Sequence, residues 1–186
     1  EKVYGQPPAD PDYMAGAGGI LYFVTRYPWT LWRSDGTEAG TYELMTNEES
    51  LGNLTPAGGL LYYTARRETA DHDVTQLWRT DGTLTGTEMV VQLQRTGVGQ
   101  MQYYDGRLFF RSNAGGGGYE PWISDGTAAG THRLKDVNPT SFDADIEDVT
   151  VAGDLAYFRA DDGSGNRLWQ TDGIATGTRK VINPIT

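Results

Sequence analysis

An all-β fold, a β-propeller of four-stranded antiparallel blades with four blades in this chain, is predicted from three observations. A motif returns four times at near-constant spacing, an apolar run occupies the same place in every repeat, and helical periodicity is absent throughout. The motif first stands as Leu31-Trp32-Arg33-Ser34-Asp35-Gly36-Thr37. It returns around Trp78, Trp122 and Trp169, at steps of 46, 44 and 47 residues. A Gly-Thr pair follows each Asp at constant distance, as Gly40-Thr41, Gly86-Thr87, Gly130-Thr131 and Gly177-Thr178.

Each repeat reads as four strands. The innermost is short and built of small residues, as in Met14 to Gly16 and Val149 to Ala152, which suits crowding near an axis. A tight turn follows: Gly18-Gly19, Gly58-Gly59, Asp105-Gly106 and Gly153-Asp154 supply the positive φ angles of hairpins. The second strands, Ile20 to Val24, Leu60 to Tyr63, Leu108 to Phe110 and Leu155 to Phe158, are continuously apolar, the pattern of a strand covered on both faces. The third strand carries the motif Trp, expected to fill space between blades. The fourth starts at the Gly-Thr pair, as in Thr41 to Met45 and Thr87 to Leu93. One domain over 1–186 results, with blades at 13–49, 50–97, 98–137 and 138–186 and a partial strand and linker at 1–12.

The four copies, LWRSDGTEAGT, LWRTDGTLTGT, PWISDGTAAGT and LWQTDGIATGT, resemble the bacterial tandem repeat written ELWxTDGTxxGT. They are more loosely similar to Asp-box and kelch-type propellers. The resemblance covers nearly the whole chain. It implies a β-propeller from a large exported bacterial protein, and hence an extracellular or cell-surface location. Only Glu120 keeps the leading Glu of the pattern, and Ile174 replaces a Thr.

Composition narrows the function. The 186 residues include 25 acidic and 15 basic side chains, a formal charge of −10, which disfavours nucleic acid and anionic membrane surfaces. No apolar run approaches the ~20 residues of a membrane-spanning helix, so membrane insertion is not expected. Cysteine is absent, which removes disulfide and thiol chemistry.

The repeated Asp35, Asp81, Asp125 and Asp172 invite a catalytic or calcium reading. A carboxylate that accepts the N–H two residues on, beside a Gly tolerant of φ > 0, is instead a structural turn between the third and fourth strands. Function is expected where the copies differ, in the loops between second and third strands. In the first copy this loop is Arg26 to Thr30, with Tyr27 and Trp29 as candidates for stacking on a sugar ring. In the second it is Arg66 to Gln76, with Arg66 and Arg67 as ligand contacts. In the third it is Asn113 to Glu120, holding the Gly115 to Gly118 run and Tyr119. In the fourth it is Asp161 to Arg167, where Asp161, Asp162 and Asn166 are candidate Ca²⁺ ligands. Asp143, Asp145, Glu147 and Asp148 form a second acidic cluster.

Catalytic motifs are missing. His72 and His132 lie in different repeats, and no nucleophile elbow, H-E-x-x-H or phosphate loop occurs. The expected role is a non-catalytic ligand-binding or adhesion module, with carbohydrate ahead of a protein partner as ligand and Ca²⁺ as a candidate cofactor. A structural or protein-interaction scaffold and a hydrolase or lyase using loop carboxylates stand as alternatives. Both Glu1-Lys2-Val3-Tyr4-Gly5 and Thr178 to Asn183 align with fourth strands, the pattern expected of a piece of a longer array. A four-bladed ring, half of an eight-bladed ring made by two chains, and an arc of a larger propeller all stay open.

Overall fold

A computed structural model describes residues 10–47, 49–70, 73–94, 97–140 and 143–181. Among them are sixteen strands in four sheets and no helix. The first sheet holds β1 (Met14–Ala17), β2 (Ile20–Thr25), β3 (Trp29–Ser34) and β4 (Tyr42–Asn47). The second holds β5 (Ser50–Ala57), β6 (Leu60–Arg67), β7 (Val74–Thr80) and β8 (Glu88–Gln94). The third holds β9 (Val98–Tyr104), β10 (Arg107–Ser112), β11 (Glu120–Ser124) and β12 (His132–Arg133). The fourth holds β13 (Glu147–Ala152), β14 (Leu155–Asp161), β15 (Asn166–Thr171) and β16 (Arg179–Lys180). Every sheet is an antiparallel meander with its strands in chain order. The Glu1 to Gly5 segment and Ile182 and Asn183 lie outside the described residues.

The chain packs as two compact units, 1–93 and 94–186, with two sheets each. In the first unit Tyr22, Val24, Leu31 and Leu44 meet Leu51, Leu61, Tyr63 and Ala65 of the next sheet in one buried cluster. In the second, Phe109 and Ile123 meet Ala156, Phe158, Ala160 and Trp169. Fully burying each such Leu or Phe stabilises by roughly 1.5–3 kcal/mol.

The motif Trp has a constant partner. It lies across the register from an aromatic residue on the second strand of its own sheet: Phe23 and Trp32, Tyr63 and Trp78, Phe110 and Trp122, Phe158 and Trp169. Ring centroids stand 6.1, 6.3, 6.2 and 6.4 Å apart, in stacked geometry. Such pairs contribute ~0.5–1.5 kcal/mol beyond their area.

The Asp-Gly-Thr turn is a closed hydrogen-bond circuit. In the first copy Asp35 Oδ1 accepts the Thr37 N–H at 3.0 Å and the Thr37 hydroxyl at 2.7 Å. Thr37 Oγ1 in turn accepts the Gly40 N–H at 2.9 Å, and Thr41 Oγ1 donates to the Thr37 carbonyl at 2.7 Å. Ser34 Oγ accepts the Gly36 N–H and lies 2.7 Å from Thr41 Oγ1. The second and third copies repeat these bonds from Asp81 and Asp125. The Gly of each Gly-Thr pair is explained by the same circuit, because a Cβ at Gly40, Gly86, Gly130 or Gly177 would overlap the Asp carboxylate. In the fourth copy Ile174 N–H still reaches Asp172 Oδ1 at 3.1 Å, but Ile has no hydroxyl for the other two bonds.

Strand lengths differ from the sequence reading in two ways. β6 and β7 run on to Arg67 and from Val74, so the second copy's long loop shrinks to 68–73. β14 is not covered on both faces: buried Ala156, Phe158 and Ala160 alternate with half-buried Tyr157 and exposed Arg159. That period of two marks a strand with one face in the core and one open.

Candidate functional site

The first unit brings four of the five proposed ligand contacts to one edge. Tyr27 is 88% exposed and adopts φ 62° in the tight turn between β2 and β3. Trp29 is not a loop residue. It opens β3 in register with Asn47 and packs half-buried against the core cluster, with the Arg26 guanidinium 5.0 Å above its ring. The Arg26 guanidinium thus stands where a sugar stacking on this ring would compete with it. Asn47 Nδ2 donates to the Arg66 carbonyl at 2.8 Å, tying this edge to the end of β6. Arg66 is ion-paired with Asp73, and Arg67 is exposed beside it.

The second unit contains an insertion. The interval from the Gly-Thr pair to the next hairpin turn is 17 residues from Thr41 to Gly58 and 18 from Thr87 to Asp105. From Thr131 to Gly153 it is 22. The extra chain lies in the connection 134–146 between β12 and β13. It is anchored by Leu134, Val137, Ala144 and Ile146, all within the core cluster. Glu120 holds it from behind: Oε2 accepts the Val137 N–H at 2.7 Å and Oε1 the Asn138 N–H at 3.3 Å. Glu120 is 1% exposed, and burial pushes its carboxyl up to about 7.

This insertion and the β14–β15 turn line a cleft of about 570 Å³. Its walls are Asn138, Thr140, Asp143, Asp145, Asp161 and Gly163. Buried Asn138 is fixed by the Thr140 hydroxyl and N–H on its Oδ1, and its Nδ2 donates to the Asp143 carbonyl. Asp143 Oδ1 accepts the Tyr119 N–H at 2.8 Å, which sets the third copy's variable loop against the insertion. Tyr119, the fifth proposed contact, carries the Arg111 guanidinium 5.1 Å from its ring. Among the described residues its lining offers carboxylate, amide and hydroxyl groups and no cation, which matches a neutral polyhydroxyl or cationic molecule rather than an anion.

The calcium set proposed in the fourth copy does not assemble. Asp161 Oδ1 accepts the N–H groups of Gly163 and Gly165, both at 2.8 Å. Asp162 Oδ1 accepts the Ser164 hydroxyl and N–H, and its other oxygen pairs with Lys180. The Lys180 contact holds the Asp162 carboxyl well below the usual carboxylate range. Asn166 begins β15 and lines a separate groove with Arg159 and Arg167. The second acidic cluster also divides. Asp143 and Asp145 face the cleft, whereas Glu147 and Asp148 pair with Arg159. Among the described residues no three His, Asp or Glu side chains converge to hold a metal ion. His132 is exposed on β12, and His72 lies outside the described residues.

The sequence reading missed Asn138, Thr140 and the role of Glu120. Two signals pointed there: the longer third interval, and the leading Glu kept in that copy alone.

No protein-family model and no curated protein matches the sequence. The fold is similar to that of TolB from Acinetobacter baumannii, with a TM-score of 0.59 and 15% identity over 94% of this chain and 44% of that one. It is similar to a TolB from Agrobacterium tumefaciens, with a TM-score of 0.55 and 11% identity over 87% of this chain and 60% of that one. An acylaminoacyl peptidase of Pyrococcus horikoshii gives a TM-score of 0.62 and 14% identity over 92% of this chain and 27% of that one. The chain thus spans less than two thirds of each. At these identities the likeness shows a propeller-like all-β fold and nothing about activity.

Proposed function

We propose that this chain is a non-catalytic binding module, its four sheets the blades of a propeller, that takes a neutral, hydroxyl-rich ligand such as a carbohydrate. The cleft in the second unit carries the reading. Its volume lies in the range of small-molecule sites. Carboxylate and amide oxygens held by backbone N–H groups are pre-positioned acceptors for hydroxyl donors, which lowers the ordering cost of binding. The formal charge of −10 turns anionic ligands and nucleic acid away. The motif's resemblance to the ELWxTDGTxxGT repeat supports an exported bacterial protein acting outside the cell or at its surface.

The test is a glycan array with wild-type protein and Asp145→Asn, in calcium and again in EDTA. Asn keeps the shape and the left-handed backbone that Asp145 adopts at φ 47°. Binding to one glycan class that the variant loses supports the proposal. No binding, or binding untouched by the variant, sinks it. Three carboxylates around one cleft also favour a second reading, a hydrolase, which requires product release from the bound glycan.

A further inference from the structure

We propose that Glu120 is a positioning residue for the cleft of the second unit, and that the proton on its buried carboxyl decides whether the 134–146 connection holds the cleft in shape. As a control over binding, this rests on the carbohydrate reading of that cleft; as a control over shape, it stands apart from it.

The position two residues before the motif Trp is Thr30, Gln76, Glu120 and Arg167 in the four copies. A carboxyl stands there only in the copy whose connection is extended. Its two oxygens take two consecutive N–H groups, those of Val137 and Asn138. Val137 is buried in the core cluster, so this is where the connection is rooted. Asn138 is buried and lines the cleft. Its Oδ1 accepts the Thr140 hydroxyl at 2.6 Å and the Thr140 N–H at 3.3 Å, and its Nδ2 donates to the Asp143 carbonyl at 3.2 Å. Asn138, Thr140 and Asp143, all cleft walls, therefore hang on the backbone that Glu120 holds.

Among the described residues no cation is paired with Glu120. The charges that act on it, Asp136 and Arg133, pair with each other at 3.3 Å and offset. Arg111 of the neighbouring β10 donates to the Ile146 carbonyl and lies over the Tyr119 ring. Lys135 donates to the Thr178 carbonyl, and Asp143 accepts the Tyr119 N–H. A carboxylate buried with two N–H groups for partners is costly unless water reaches it. Burial accordingly raises the group to about 7, against the lowering effect of the two N–H bonds. Val137 and Asn138 are among the groups that seal it, so ionisation favours forms in which the connection has lifted and the carboxylate is hydrated. The hydrated group has its ordinary value of 4.5. The closed form is therefore favoured in full below 4.5 and loses that advantage as pH rises through 7. The cleft is held at about pH 5.5 and loosened by about pH 8.5.

The experiment is a pH titration of the labelled chain by NMR from about pH 5.5 to 8.5, in wild type and Glu120→Gln. Gln76 is buried at the same repeat position, so the variant is expected to fold. Both proteins keep His72 and His132, whose titration cancels in the comparison. In wild type the Val137 and Asn138 amides, the Thr140 amide and the Asn138 side-chain amide should shift with one midpoint near neutrality. The Glu120 Cδ resonance should share that midpoint, a measurement that needs no variant. Glu120→Gln should leave all four amides flat. The glycan bound best on the array should bind wild type at least about threefold more weakly at pH 8.5 than at pH 5.5, and the variant with no such change. If no glycan binds, the carbohydrate reading fails and the resonances alone decide the control over shape. A Glu120 Cδ resonance that does not move overturns the proposal. So does a titration that stops at Val137 without reaching Thr140, one that persists in the variant, or a bound glycan whose affinity ignores pH in wild type.

Discussion

Thr83→Ile tests the hydroxyl at the centre of the turn circuit. The Thr83 hydroxyl donates to Asp81 Oδ1 at 2.7 Å and accepts the Gly86 N–H at 2.9 Å. The fourth copy carries Ile174 at this position, so the fold accommodates the side chain and the change reads as lost bonds rather than a clash. Each bond nets about 0.5–1.5 kcal/mol, and exposure at the turn places both in the lower half of that range. The expected loss is about 1–2 kcal/mol, or about 2–8 °C in melting temperature for a chain of this size. The loss also depends on pH. The Thr83 hydroxyl, followed by the Thr83 N–H, holds the Asp81 carboxyl below its ordinary value. A carboxyl lowered in the folded state stabilises above its unfolded value and loses that contribution as pH falls through the folded one. The gap between wild type and variant should therefore be full at pH 7 and smaller at pH 3, measured by urea unfolding at both. No loss at pH 7, or the same loss at both, would refute the reasoning.

Three further outcomes follow from the geometry. Gly130→Ala forces a Cβ into the Asp125 carboxylate and breaks several bonds at once, so it should cost about 2 kcal/mol or more in chemical denaturation. Glu120 has a folded value raised to about 7, so its contribution is full below its unfolded value of 4.5 and is lost as pH rises through 7. Between pH 5 and 8 the stability of Glu120→Gln relative to wild type should rise by up to about 3 kcal/mol, and a flat difference would count against a buried ionisable carboxyl. Trp29→Ala should lower stability by about 2 kcal/mol through lost packing while leaving glycan binding intact, checked by thermal melts and the same array.

How far the sequence reaches depends on whether a residue's partners are local. The Asp-Gly-Thr turns were legible because donor and acceptor lie within a few residues, and spacing alone decides whether they meet. Trp29 read as part of the variable loop Arg26 to Thr30, where the copies differ, whereas pairing with Asn47 on β4 makes it a strand residue. Asp161 and Asp162 read as free oxygen ligands, but the backbone N–H groups of Gly163, Ser164 and Gly165 reach them first. Nothing in residue type says how tightly that turn winds. Glu120 stood out as a departure between copies, yet its role depends on Val137 and Asn138, which reach it only through an insertion folded into the core.

The same contrast says where a ligand can bind. A repeated motif recurs because it satisfies itself, and the circuit around Asp35, Asp81 and Asp125 leaves Oδ1 of each engaged by a hydroxyl and an N–H. The Gly of each Gly-Thr pair is required by the carboxylate, whose place a Cβ there would overlap, so the turn is packed against its own acid. Free hydrogen-bonding capacity gathers where one copy breaks the pattern. Between β12 and β13 the added chain cannot join a sheet, so its backbone is held by a buried Glu and a buried Asn, and its remaining oxygens face a cleft. Removing Glu120 and removing Asp145 should therefore differ in kind: the first loosens the insertion and shifts stability with pH, and the second alters binding while the fold keeps its melting temperature.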